Sequence, residues 1–190
     1  MTAAEVLDFW FGCAPLATRR EWFVKNVEFD EQIRQRFGSL VNRALAAPLA
    51  WGVDAPSQLA EVIVLDQFTR NLFRGQARAF AGDARALELA LRLVDSGQHL
   101  HLHPLQRWFA CMPLEHAEDL ALQDRCVALF EALVADAGEH TASLQGALDY
   151  AHKHRDIIRQ FGRFPHRNAA LGRSSTAAEL LYLAQPGSGF

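Results

Sequence analysis

The sequence has little of the material from which a β-sheet, a membrane span or a phosphate-binding loop is made. The one alternating stretch, HLHLH at 99–103, is short and stands between a glycine and a proline, so we expect a loop there. No glycine-rich phosphate loop or Asn-Gly hairpin occurs, and no apolar run approaches the roughly 20 residues that cross a bilayer. The N-terminal MTAAEVLDFWFG has acids where a signal peptide has a basic region, so we expect neither a signal peptide nor a membrane partner.

Cysteine and net charge are also low. Cys13, Cys111 and Cys126 cannot all pair with one another and match no zinc motif, so we expect reduced thiols acting as small core residues in a reducing cytoplasm. The formal net charge of −3 disfavours a surface built for nucleic acid. The charge is uneven, because residues 152–173 contain six Lys or Arg and only one acid.

Helix signals, in contrast, occur along the whole chain. Half of the residues are apolar, which is enough for one sizeable core, and we expect a single domain over residues 1–190. Capping boxes at Thr2–Glu5, Thr18–Glu21 and Thr176–Glu179 each predict the start of a helix. Periodicity and breakers predict helices at about 3–11, 18–25, 30–46, 56–73, 83–95, briefly after Pro104, and at 117–136, 142–160 and 177–184. The predicted fold class is all-α, with about eight to nine helices in antiparallel hairpins that form a tetratricopeptide-like superhelix or a bundle.

The first polar motif is LDQFTRNLFRG at 65–75, in the second half of a predicted helix. Its acid and its first arginine are four residues apart and share a face. A solvated face with one ion pair explains those charges, but it does not explain the Gln and Asn beside them, which are suited to orienting a ligand or a neighbouring backbone. The ligand-binding candidates of this motif are Asp66, Gln67, Arg70, Asn71 and Arg74.

The second motif is MPLEHAED at 112–119. Pro113 is predicted to end one helix and begin the next, which places the acids and His116 in a first helical turn. The helix macrodipole favours acids at that position, so capping alone explains them, but it disfavours a charged imidazole. A neutral His116 beside a carboxylate can act as a base or as a metal ligand. The catalytic candidates of this motif are His116, Glu115 and Glu118.

The third motif is AHKHRDIIRQFGRFPHRN at 151–168. Leu144, Leu148 and His152 are spaced by four, so His152 is predicted on the apolar face, as a satisfied core histidine or as a ligand. Gly162 ends the helix and Pro165 forces a turned backbone, which displays the following residues on a loop. The catalytic candidates here are His152 and His166, and the ligand-binding candidates are Arg163, Arg167 and Asn168.

The arginines of these motifs allow two interpretations. A guanidinium group binds a carboxylate or a phosphate through two parallel hydrogen bonds. If the acids of MPLEHAED face the arginines of the other motifs, the charges are neutralised internally and form a structural polar network. If the acids point elsewhere, the surplus positive charge forms an anion pocket.

Five sequence blocks together resemble a known family. VLDFWFG (6–12), LDQFTRNLFRG (65–75), MPLEHAED (112–119), FGRFPHRN (161–168) and LGRSSTAAELLYL (171–183) are similar, in this order, to the bacterial domain of unknown function 924. The family has proline where this chain has Thr69 and serine where it has Ala117. The resemblance implies an all-helical fold similar to tetratricopeptide-like superhelices, and it implies no activity and no catalytic residues.

Four functions remain open at this stage. The first is a small-molecule or peptide binding module with an arginine-rich anion pocket, which takes a small anionic ligand or an acidic peptide and whose motifs partly serve a structural network. The alternative is a hydrolase or lyase acting on an anionic substrate, either metal-independent or metal-assisted. Glu-His-x-Glu is not a zinc signature, so we expect no metal site and no cofactor. Nucleic-acid binding through residues 152–173 and a purely structural network are the other two interpretations.

Overall fold

A computed structural model gives the structure of residues 1–189. These residues form α-helices and short 3₁₀ turns and no β-strand, which confirms the all-α prediction. The helices are α1 (Ala3–Phe11), α2 (Val27–Ala46), α3 (Ala55–Val62), α4 (Thr69–Leu72), α5 (Asp83–Asp95), α6 (Pro104–Glu115), α7 (Leu120–Ala135), α8 (Thr141–Phe161) and α9 (Ala177–Leu183). A π-helical segment, Ile63–Phe68, joins α3 to α4. The tetratricopeptide-like superhelix stays a prediction.

The helices enclose an aromatic core near the N-terminus. The rings of Phe9 and Trp10 on α1 pack against Phe37, Phe68 and Phe109 from three other elements. Later in the chain, α5 packs on α6, α6 on α7, and α7 along α8. Among residues 1–189, no helix combines the length and the hydropathy that crossing a bilayer requires.

Two of the three predicted capping boxes are confirmed. Thr2 caps α1 and Thr176 caps α9, each with the glutamate three residues later bonded back to the cap. The box at Thr18–Glu21 is wrong, because only a 3₁₀ turn, Arg20–Trp22, forms there. The Arg19 guanidinium instead donates to the carbonyls of Phe9 and Trp10 at the end of α1.

The predicted helix boundary at Pro113 is also wrong. α6 continues through Pro113 to Glu115, His116 is its C-cap, and α7 begins only after Asp119, which caps it. The fully buried Gln123 explains the position of this end, because its Nε2 donates to the carbonyls of Glu115 at 2.5 Å and Ala117 at 2.8 Å. Carbonyls that the helix leaves unpaired are therefore satisfied by a side chain of α7.

The predicted burial of one histidine and one cysteine is corrected by the structure. His154, not His152, lies on the buried face of α8. A step of four residues overshoots a 3.6-residue turn by about 40°, so two such steps from Leu144 leave the apolar face. Of the three cysteines, which are all free, Cys111 and Cys126 are buried as predicted, but Cys13 is exposed just beyond the end of α1.

Gly82 allows the closest backbone approach near the site. It precedes α5, and a Cβ atom at this position would lie 2.2 Å from the carbonyl oxygen of Leu65 in the π-helical segment. Only glycine can occupy such a contact without moving backbone. The approach places Asp83, the first residue of α5, next to the charged residues that follow Leu65.

We expect the substitution Gly82→Ala to lower the free energy of unfolding by about 3 kcal/mol, because the methyl group must push two elements apart. The matched control is Gly38→Ala within α2, where an added Cβ meets nothing within 4 Å. That change should be neutral or stabilising by about 0.5–1 kcal/mol. Urea denaturation of both variants checks the pair, and equal stabilities would contradict the close approach.

Candidate functional site

Two of the three sequence motifs, at 112–119 and 151–168, contribute residues to one open cavity of about 310 Å³. Its walls come from the start of α5, the end of α6 and the loop that follows α8. Four charged or polar residues line it: Asp83, His116, Glu118 and Arg167. Pockets that hold small molecules begin at about this size.

Asp66 is the buried centre of the polar cluster behind the cavity. Its side chain is fully buried, and its Oδ1 atom lies 2.7 Å from Nδ1 of His116 and 3.0 Å from Nη1 of Arg70. Gln67 donates its side-chain amide to Oδ2 at 2.5 Å. Burial opposes ionisation, but the Arg70 and His116 interactions outweigh it and hold the pKa of Asp66 well below its usual range.

His116 connects this buried carboxylate to the cavity. Its Nδ1 atom is held by Asp66, and its Nε2 atom makes no hydrogen bond within residues 1–189. Burial and the charge of Arg70 lower the pKa of His116, against the opposing effect of Asp66. An uncharged imidazole oriented by a carboxylate is the arrangement of a general base.

Asp83 is the second carboxylate that binds Arg70. Both guanidinium Nη atoms of Arg70 donate to its carboxylate, at 2.9 and 3.1 Å. Burial lowers the pKa of Arg70, but Asp66 and Asp83 outweigh burial and raise it. The positive charge of Arg70 is thus neutralised by two carboxylates, so Arg70 is not a ligand-binding residue in this arrangement.

Arg167 is paired less completely than Arg70, Arg163 and Arg173. It is 6% exposed, and its Nη1 atom donates to the carbonyl of His116 at 3.0 Å and to Asp83 at 3.3 Å. Its guanidinium lies over the rings of Phe164 and Phe80, and its buried Nε–H has no acceptor among the described residues. Burial and the charge of Arg70 lower the pKa of Arg167 to about 10, so it is still protonated at neutral pH.

The remaining loop residues tie the C-terminal segment to the fold. Arg163 binds Glu179 on α9 through two hydrogen bonds, at 2.6 and 2.8 Å. Arg173 binds Glu118 in the same way, at 2.6 and 2.9 Å. Asn168 is buried among them and accepts from Nε of Arg173 at 3.0 Å. Most of the polar residues of this segment therefore form a structural network, whereas Arg167 and the apolar Leu171 line the cavity.

Two predicted ligand-binding residues lie away from the cavity. Asn71 and Arg74 both donate to the buried carboxylate of Asp30 on α2, at 2.7 Å for Asn71 and at 2.9 and 3.0 Å for Arg74. They join α4 to α2, and neither lines the cavity. The structure thus gathers Asp66, Gln67 and Arg70 at the site and places the second half of their motif elsewhere.

The candidate catalytic residues divide in a similar way. His116 and Glu118 line the cavity, whereas Glu115 is buried beneath it and lies 2.9 Å from Nδ1 of His154. His166 adjoins the Phe164 ring at 5.6 Å between centroids. His152 contacts Arg155 on α8 and does not line the cavity. Among residues 1–189, no group of three or more His, Cys, Asp or Glu is arranged to hold a metal ion.

Three residues of the polar clusters were not predicted from the sequence to take part in them. Asp83 is predicted only as a helix start, yet the neighbouring Gly82 could have indicated a close approach to another element. His154 follows from its spacing of seven residues from Ala147 and three from Ala151, both of which lie on the buried face of α8. Glu179 is predicted as part of a capping box, and it also binds Arg163.

The lowered pKa of the half-buried His166 predicts a loss of stability in mild acid. Burial and the charge of Arg167 lower the pKa of His166 to about 4, with His154, His116 and Arg70 adding repulsion. Between about pH 6.5 and 4 the unfolded chain therefore binds the proton and the folded chain does not, so stability falls as pH falls through this window. Carboxylates with lowered pKa values, such as Asp66 and Glu118, begin to lose their contribution only at the acid end of this window, as pH falls through their unfolded pKa values of 3.8 and 4.5.

Urea denaturation between pH 8 and 4 measures this dependence. We expect the decline to begin near pH 6.5 in the wild type and to be shallower in His166→Gln. A free energy of unfolding that stays constant from pH 7 to 5 would contradict the lowered pKa.

The fold and the site define a small all-helical protein whose buried carboxylate–imidazole pair and partly paired arginine meet at an open cavity. Residues 6–187 match the family described as "Bacterial protein of unknown function (DUF924)", and the chain belongs to that family. The structure is similar to that of a protein of unknown function, ATU0120, from Agrobacterium tumefaciens, with 34% identity, 96% of each chain covered and a TM-score of 0.75. No curated protein matches the chain.

Proposed function

We propose that the protein binds a small anion in the cavity between α5, α6 and the loop after α8, with Arg167 as the main contact. The observation that carries this proposal is the buried Nε–H of Arg167, which has no acceptor among the described residues although the side chain lines an open cavity. A buried donor without a partner costs about 1–3 kcal/mol. An anion in the cavity would accept this hydrogen bond and offset that cost, and the buried thiols of Cys111 and Cys126 fit a reducing cytoplasm as the place of action.

Isothermal titration of the wild type and two variants with acetate, butanoate and phosphate tests this proposal. We expect the wild type to bind at least one of them and Arg167→Met to bind it about 100-fold more weakly, because a charged hydrogen-bond partner is lost. The control is Arg159→Met, which removes an exposed arginine that pairs with Asp156 on α8. The proposal fails if no anion binds, or if both variants bind as tightly as the wild type.

A second candidate function is acid–base catalysis on the bound anion. The specific observation is the 2.7 Å contact between Asp66 and Nδ1 of His116, which leaves Nε2 of a cavity-lining imidazole available. In a hydrolase of this kind, Nε2 would take a proton from the attacking water. No step in this chemistry calls on a metal ion.

An activated aryl monoester of a dicarboxylic acid serves as the probe for hydrolysis, because it carries one free carboxylate. We expect wild-type turnover above the buffer rate and a loss of about 100-fold in His116→Gln, with the affinity for the unreactive butanoate retained. Hydrolysis at the buffer rate by the wild type would remove this candidate and leave anion binding unaffected.

A further inference from the structure

The wall of the proposed anion site is mostly apolar. Six of its ten lining residues are apolar: Phe80, Ala84, Leu87, Pro113, Ala117 and Leu171. The guanidinium carbon of Arg167 lies 4.9 Å from the ring centre of Phe80, so the charged group and the apolar wall are adjacent. An inorganic ion would leave this wall facing water, whereas an alkyl group attached to the anion would cover it.

The charges around the cavity cancel one another. Three guanidinium groups, on Arg70, Arg167 and Arg173, face three carboxylates, on Asp66, Asp83 and Glu118. Two of the carboxylates, Asp83 and Glu118, line the cavity itself. A site without surplus positive charge accepts a single negative charge far more readily than two, because each like charge beside a carboxylate is repelled.

We propose that the ligand of this site is a free monocarboxylic acid with a short alkyl chain, and not a phosphate ester. The carboxylate takes the Nε–H of Arg167, and the chain lies against Leu87 and Leu171. This inference rests on the proposed anion binding and narrows it to one substrate class. The C-terminus of a peptide also carries a carboxylate next to an alkyl side chain, but the small volume of the cavity favours a free acid over a peptide.

Titration with a matched set of ligands at pH 8 tests the ligand class: acetate, butanoate, butyl phosphate and a blocked tripeptide that ends in leucine. We expect butanoate to bind about 15-fold more tightly than acetate, since each of its two additional methylenes contributes about fourfold when buried. Butyl phosphate, a dianion at this pH, should bind at least tenfold more weakly than butanoate. The variant Leu171→Ala should reduce the preference for butanoate over acetate, and Leu181→Ala, an exposed leucine on α9, should not.

The outcomes separate the two proposals. Binding of butyl phosphate that equals or exceeds that of butanoate, and that disappears in Arg167→Met, overturns the monocarboxylate class but keeps anion binding. A blocked tripeptide that binds more tightly than butanoate overturns the free acid in favour of a chain terminus. If none of the four ligands binds, both the ligand class and the anion site are wrong.

Discussion

Replacement of Asp66 by alanine is expected to lower the free energy of unfolding by about 3–5 kcal/mol. Asp66 is fully buried and is bonded to Arg70, His116 and Gln67, so its loss leaves a largely buried guanidinium with Asp83 as its one remaining carboxylate. Removing one partner of a buried ion pair has a cost of this size, because the other charge stays away from water. Urea denaturation at pH 7 measures the change.

The matched control for Asp66→Ala is Asp156→Ala. Asp156 pairs with Arg159 at 2.8 Å on the exposed side of α8, where both side chains are more than half exposed. An exposed pair contributes little, so this variant should differ from the wild type by no more than about 0.5 kcal/mol. Similar effects from both substitutions would show that the cluster around Asp66 is not buried as described.

Replacement of Arg167 by methionine is expected to impair ligand binding without the loss of stability that Asp66→Ala causes. We expect the free energy of unfolding to stay unchanged or to rise by about 1 kcal/mol, while anion affinity is lost. The guanidinium is buried and repelled by Arg70, and one of its buried donors has no acceptor among the described residues. Replacing such a charge by an apolar side chain of similar length is often neutral or stabilising. A functional residue commonly shows this conflict between stability and activity.

Arg173→Met supplies the contrast, because Arg173 belongs to the structural network. Its guanidinium makes two short hydrogen bonds to Glu118 and one to the carbonyl of Phe164. Its removal should lower the free energy of unfolding by about 2 kcal/mol, as expected for hydrogen bonds between charged groups. If Arg167→Met is as destabilising as Arg173→Met, Arg167 is also a structural residue and the anion site loses its support.

The sequence predicted the helical fold well because its helix signals are local. Capping boxes, breakers and apolar periodicity give α1 and α5 with their observed ends and most other helices within a few residues. The errors occur where tertiary contacts override a local signal. Pro113 stays inside α6, and the helix ends at Glu115, whose carbonyl accepts a hydrogen bond from Gln123 of the next helix. The Thr18–Glu21 box forms no helix because Arg19 bonds to the end of α1.

The candidate site was predictable in part. The sequence identifies the residue types and the alternative between a structural network and an anion pocket, but pairing between distant segments depends on packing. In the structure, Glu179 and Glu118 bind Arg163 and Arg173, whereas Arg167 lines the cavity, where anion binding stays a proposal. Only the arrangement of α5 against the π-helical segment brings Asp83 to Arg70, and the single sequence sign of that contact is Gly82.

Within FGRFPHRN, Arg167 has a buried Nε–H that no described residue accepts, and this Nε–H group reports directly on an anion in the cavity. In the NMR spectrum of protein labelled with ¹⁵N-arginine, the Nε–H signal of Arg167 is identified by its absence from the spectrum of Arg167→Met. We predict that addition of butanoate shifts the Arg167 Nε–H signal saturably and leaves the Nε–H signal of Arg159 in place. An Arg167 signal that does not move at any butanoate concentration, or shifts confined to exposed arginines, would contradict it.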